Sequence, residues 1–197
     1  MKLLKIIIKE PIHFLLFFIF FCPGKIGILL RKNIMKIMLR ELGKNFYSEI
    51  GLFITGHKNI TIRNNCRFMR HSSINADKNS SIKIGDNFSV NYNVNINSCN
   101  HGYIEIGNDV LIGQNTVLRA SDHKISDKNK KINEQNHSGG KIIIGNNVWI
   151  GSNCVILKNV KIEDNSVIGA GTVVSKNVSK NEVVVGNQQR FLKKMYN

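Results

Sequence analysis

Two histidines share a position relative to their surroundings. His101 in NSCNHGY lies five residues past Ile96, and His123 in RASDHK lies five residues past Leu118. An imidazole with an unperturbed pKa of about 6.5 is mostly neutral at pH 7 and can take a proton from a hydroxyl, which is general-base chemistry. The plain alternative for either residue alone is a solvated loop histidine. The chain's one tryptophan raises a second question. In GNNVWIGSNCVI it stands between Val148 and Ile150, so if those two face a core, Trp149 faces out of it and wants a partner.

The elements that must position these residues show a period of six. Counting back from Val174, aliphatics fall at Ile168, Ile162, Ile156, Ile150 and Ile144. Two residues before these sit Thr172, Ser166, Val160, Cys154, Val148 and Ile142. Three before sits Gly171, Asn165, Asn159, Asn153 or Asn147, with Asn177 at the next repeat. Asn and Gly tolerate left-handed backbone angles at turns. Each hexad thus supplies a corner, an inward small side chain, an outward one and an inward aliphatic. The result is a coil of short parallel strands, and its repeats must stack because one alone cannot bury its core. The register continues upstream at Ile106, Ile112 and Leu118, at Ile84, Val90 and Ile96, and at Ile62, Phe68 and Ile74. Three hexads make a triangular turn. Extra residues enter at one corner, most of all between Leu118 and Ile144. With turns about 4.8 Å apart, this register predicts that His101 and His123 are neighbours on one edge.

At 197 residues the chain suits one domain with an appendage. Lys and Arg outnumber Asp and Glu by 28 to 13, favouring anionic partners. The basic residues lack interleaved stacking aromatics and no recognition motif is visible, which argues against nucleic acid. Cys22, Cys66, Cys99 and Cys154 show no metal-ligand spacing and read as reduced thiols of a cytoplasmic protein, two of them facing the core. Near the start, IHFLLFFIFFC is too short for a membrane-crossing helix, which needs roughly 20 apolar residues, and lacks a signal-peptidase site. The following KIGILLRKNIMKIMLRELGK places Ile26, Leu29, Leu30, Ile34, Ile37 and Met38 at helical spacing, with Arg31, Lys32, Lys36 and Arg40 on the other side and Gly43 as a C-cap. Residues 1–44 therefore suit either peripheral contact with an anionic membrane or packing on the protein's own body or a neighbouring subunit.

On these motifs, above all GGKIIIGNNVWIGSNCVILKNVKIEDNSVIGAGTVVSKNV, the sequence resembles the left-handed β-helix hexapeptide-repeat acyltransferases from about Ile50 to Lys193. The resemblance implies an all-β fold: a left-handed parallel β-helix of about five triangular coils over 49–187. A helical extension over 1–48 precedes it, a long catalytic loop spans 119–141, and a basic tail covers 188–197. It further implies a homotrimer that uses acetyl-CoA and no metal to acetylate a hydroxyl of a bacterial surface glycan, its acceptor possessing or lacking a lipid link. His123, in the SDH motif, matches the family's catalytic base. Asn93, His101 and Trp149 match or adjoin acceptor and active-site positions, although Asn93 also fills a turn slot where asparagine needs no functional reason. Ser152, Ala170 and Ser175 match the coenzyme A channel, with the backbone N–H near Ser152 as an oxyanion donor. Arg190 and Lys193 match residues on its phosphates. The chain has Gln188 and Gln189 where the family commonly continues Gly-Asn with Pro-Ala, which affects the path of that tail.

Three other readings compete. Zinc-dependent γ-class carbonic anhydrases share the coil but use an H-x-x-x-x-H pair, and no two of the six histidines here are five apart. N-acetylation of an amino-sugar nucleotide keeps the chemistry but gives the N-terminus no role. A non-catalytic trimeric scaffold leaves the SDH loop and the outward tryptophan unexplained.

Overall fold

The computed structural model describes the backbone of residues 2–187 and 190–194, with side chains from residue 11 to 187 and at Phe191. The chain forms a parallel β-solenoid of three faces. The first face stacks six strands from Glu41–Leu42 to Val160–Ile162, and the third stacks six from Phe53–Thr55 to Val173–Val174. The second runs from Tyr47–Ser48 to Glu182–Val185 and ends on the antiparallel strand Arg190–Lys194. The six-residue register holds: Ile62, Ile84, Ile106, Ile144 and Ile162 form one ladder. Ile74, Ile96, Leu118, Ile156 and Val174 form another. These side chains fill a continuous core.

Corners follow the residue types. Asn147, Asn153, Asn159, Asn165 and Gly171 all take positive φ. Side-chain amides then bond from turn to turn, Asn45 to Asn65 and Asn65 to Asn87 at 2.9 Å each. These corner asparagines are thus both a backbone device and a link between neighbouring turns.

Two boundaries differ from the sequence reading. The coil has six turns and starts at Glu41, because the first repeats carry Phe46 and Leu52 inward where the six-residue pattern is weak. The last turn is two residues short, so that Val178 bridges Ile162 and Asn181 takes the positive-φ slot stacked on Asn165, while Asn177 accepts from Lys161 N–H without a positive φ. Extra residues at the third corner, between the third and first faces, are as expected.

Two helices precede the coil: α1 (Lys2–Phe21) and α2 (Gly24–Met38). Helix α2 ends five residues before Gly43 and covers the coil's first turn, with Met35 and Leu39 in the core. Of the two expected sides neither turns inward as a whole: Ile34 packs on the core and Lys36 is exposed. Gly27, Arg31 and Met35 are buried, while Ile26, Leu29, Leu30 and Ile37 are exposed. Arg31 is inward for a reason of its own. The last carbonyls of a helix lack intrahelical partners, and the Arg31 guanidinium meets them at the end of α1: Nη1 donates to Cys22 O at 2.7 Å, Ile19 O at 3.3 Å and Phe20 O at 3.4 Å. Its Nε donates to Ser48 O at 3.1 Å, tying both helices to the coil.

Candidate active site

At the third corner the chain leaves the coil after Arg119 and returns at Gly140, whose N–H closes the neck on Ala120 O at 2.8 Å. Between these points Ser121–His123 and His137–Gly139 form an antiparallel hairpin with His123 opposite His137. The next N–H, of Lys124, donates to Asn136 O at 3.0 Å. His123 and His137 are therefore a non-hydrogen-bonded pair, the arrangement that brings facing side chains closest. Their ring centroids lie 4.0 Å apart, inclined at 41°.

Lys158, one turn further along the coil, grips both strands of the hairpin. Its Nζ lies 3.4 Å from Asp122 Oδ2 and donates to Ser138 O at 3.2 Å. With Asp122 about half exposed, the ion pair itself contributes at most about 1 kcal/mol. Its consequence is geometric, since Asp122 points to the opposite strand face from His123 and is held by Lys158. Further out, Gln135 staples the loop: Asp127 N–H donates to its Oε1, and its Nε2 donates to Asp127 O and Lys130 O, each at 2.9 Å. A polar segment with no apolar period is ordered by one buried amide.

His101 and His123 both lie at the third corner, and the ring that packs on His123 is His137. The ladder stacks Arg119 on Asn97 and ends when Ala120 N–H bonds Asn97 O, after which the chain enters the hairpin. His101 stays in the corner at φ 65°, its backbone beneath Gly139, where a Cβ would come within 2.3 Å of His101 O. Its charge acts instead on Asp77, one turn earlier. Burial pushes the Asp77 carboxyl upward, but Ser80 Oγ at 2.6 Å and the N–H groups of Asn100 and Asn79 hold it below its ordinary range, helped by His101.

The remaining candidates divide between the prism's edges and faces. Asn93, Ser152 and Ala170 share the second corner. Asn93 takes φ 56° and donates from Nδ2 to Asn115 Oδ1 at 3.0 Å, and Asn115 does the same to Asn153 at 3.2 Å. That ladder accounts for Asn93 structurally. Gly113 leaves room for Ser152, since a Cβ there would lie 2.5 Å from Ser152 N and 2.8 Å from its Oγ. Ala170 is exposed on the next turn, and Ser175 is exposed at the third corner, across the short strand Val173–Val174. Ser152, Ala170, Ser175 and the His123 hairpin thus border the third face. Trp149 does not: it lies on the second face, 57% exposed, stacked beside Leu111 at 52% and Val167. In a triangular prism that face is opposite the third corner, so one chain cannot bring Trp149 to its own His123. The side chains of Arg190 and Lys193 lie outside the described residues.

Sequence reasoning missed His137, Lys158 and the buried Ser121, whose hydroxyl has no partner among the described residues. Only SDH and HSGG at the two ends of the insertion hinted that the loop folds back on itself. The buried thiols are not nucleophile candidates: burial raises Cys154, and pushes Cys66 up to about 11.

A coil of hexads with a histidine hairpin at the corner of its long insertion defines a hexapeptide-repeat transferase architecture, and comparison with known proteins agrees. The bacterial transferase hexapeptide family (six repeats) matches residues 141–176. The structure of a maltose O-acetyltransferase from Clostridium difficile 630 is 30% identical, with a TM-score of 0.64 covering 92% of this chain and 83% of that one. The chain belongs to the hexapeptide-repeat acyltransferase family. A galactoside acetyltransferase structure in complex with coenzyme A is 28% identical, at a TM-score of 0.64 over 91% of this chain and 77% of that one. The galactoside O-acetyltransferase of Escherichia coli (strain K12) is 40% identical over 116 residues, which are 59% of this chain and 55% of that protein. The chain thus spans about half the length of the curated relatives it matches. Structures of an N-acyltransferase from Bacillus cereus reach a TM-score of 0.72 at 22% identity, over 83% of this chain and 88% of that one, which shows the fold alone.

Proposed function

We propose that this protein transfers the acetyl group of acetyl-CoA to a hydroxyl of a bacterial surface glycan or its lipid-linked precursor, with His123 as general base. The observation that carries the reading is the Lys158-gripped hairpin presenting His123 beside the third face, whose edges hold Ser152, Ala170 and Ser175. The relatives named for sugar O-acetylation and the coenzyme A complex support the donor and the reaction type.

In this mechanism a neutral His123 ring nitrogen takes the proton of the acceptor hydroxyl as its oxygen attacks the thioester carbonyl. The negative charge on the carbonyl oxygen needs an N–H donor, supplied by the backbone near Ser152. Collapse breaks the C–S bond, the coenzyme A sulfur leaves with the proton returned from His123, and the acetyl ester remains on the acceptor. Arg190 and Lys193 are assigned to the coenzyme's phosphates, and Asn93 and His101 to the acceptor side. Because Trp149 is opposite its own chain's hairpin, a complete site takes Trp149 from a neighbouring copy in a homotrimer. Exposed Leu111 and Tyr92 beside it give that interface an apolar surface. The setting is the cytoplasmic face of the membrane.

The test incubates the protein with acetyl-CoA and candidate glycans, following thiol release and acetyl gain on the acceptor. His123→Ala is expected to lose turnover while keeping its assembly state and melting temperature. Near-native turnover in that variant would sink the mechanism, and acetylation confined to amino-sugar nucleotides would replace the hydroxyl acceptor with an amine.

A further inference from the structure

We infer that α1 and α2 form a docking surface that lies in the plane of an anionic lipid bilayer. The inference stands apart from the acyl-transfer reading, because it rests on the helices alone. In the described part of α1 only Leu16, Ile19 and Phe20 turn toward the body among the large apolar residues. Ile12, Phe14, Leu15, Phe17, Phe18 and Phe21 remain between 47% and 66% exposed. A helix apolar on nearly all sides is one that something covers. Among the described residues no helix is long and apolar enough to cross a membrane, so a bilayer would cover α1 from the side.

Helix α2 supplies the polar half of such a surface. Ile26, Leu30 and Ile37, at i, i+4 and i+11, form one exposed stripe. Lys25, Lys32 and Lys36, at i, i+7 and i+11, form a second stripe alongside, and no carboxylate among the described residues pairs with them. An apolar stripe bordered by ammonium groups on long stems matches acyl chains bordered by anionic phosphates. A second copy of this chain matches less well, since its formal net charge is +15 and it would bring one lysine stripe against another. The surface also lies at the end of the coil, where α2 caps the first turn, leaving the lateral faces free for neighbouring copies. Arg31 bonds to both α1 and Ser48, so docking would fix the whole coil with its first turn nearest the membrane.

The test is flotation of the full chain with vesicles of phosphatidylcholine alone and of phosphatidylcholine mixed with phosphatidylglycerol. Wild type is expected to float with the anionic vesicles. Phe14→Ser/Phe17→Ser/Phe18→Ser should abolish flotation while retaining the wild-type circular dichroism spectrum. Lys25→Gln/Lys32→Gln/Lys36→Gln should lower partition to anionic vesicles roughly 100-fold, at about fivefold for each basic side chain held at such a surface. Three results would overturn the inference: wild type staying unbound with anionic vesicles, the serine variant floating as well as wild type, or sedimentation showing that the serine changes dissociate copies of the chain. Turnover on a soluble acceptor, measured on the same variants, should be unchanged, so a failure of docking is distinguishable from a failure of catalysis.

Discussion

Replacing Arg31 with methionine tests how the helices are held on the coil. Of its four hydrogen bonds, those to Cys22 O at 2.7 Å and Ser48 O at 3.1 Å have good geometry, while the two at 3.3 and 3.4 Å are at the long limit. Methionine fills much of the same volume, so the cost lies in one buried and one part-buried carbonyl left without a donor, about 1–3 kcal/mol each. Burial also disfavours the guanidinium charge and lowers its pKa, against the opposing influence of Cys22, Tyr47 and Glu49. Methionine removes that desolvation cost, so the net loss expected is about 3 kcal/mol. It should fall on α1, which is otherwise attached through Leu16, Ile19, Phe20 and the Gly51 N–H to Phe20 O bond at 3.1 Å. Hydrogen exchange then reads roughly a hundredfold loss of protection over 12–22, with amides of the strand Tyr103–Ile106 unchanged. Arg31→Lys should recover only part of it, because an ammonium cannot span the two directions of the planar fork. Unaltered protection of α1, or an equal loss throughout the coil, would refute the clamp.

Other consequences concern the corners. Gly113→Ala puts a Cβ 2.5 Å from Ser152 N, so the backbone of that turn must shift; the melt should show a loss of about 1–3 kcal/mol, and affinity for coenzyme A by calorimetry should fall. Lys158→Met releases both hairpin strands, and limited proteolysis should become faster between residues 124 and 136 while the melting temperature of the coil barely moves. Because the Asp77 carboxyl titrates below its unfolded value of about 3.9, its stabilising contribution is present above that pH and is lost as pH falls through the lower folded value. Wild type and Asp77→Asn should therefore differ in stability near neutrality and converge in acid; a gap that persists under acid would show that another group sets the corner.

The coil itself was legible because its signals are local. An asparagine or glycine at positive φ marks most corners, and an aliphatic three residues later must find a core, so the ladders from Ile62 to Ile162 and from Ile74 to Val174 could be counted without coordinates. The outward position of Trp149 followed from the same alternation. The hairpin was less legible. Its apolar pattern is absent, and its order comes from Gln135 within the loop and from Lys158 one turn further along the coil, so the position of His123 beside His137 had no local signature.

Helix α2 marks the boundary most clearly. Its sequence specifies two faces, one aliphatic and one basic, because side chains spaced by three and four residues share a side. The tertiary structure turned inward the side that holds Gly27, Arg31 and Met35. The end of α1 presents carbonyls that only a donor can satisfy, Arg31 is the donor within reach, and Ile26, Leu30 and Ile37 are left on the outside. Likewise the chain by itself determined a prism with a histidine at its third corner. The separation of Trp149 from that histidine emerged only when the three faces closed on one another.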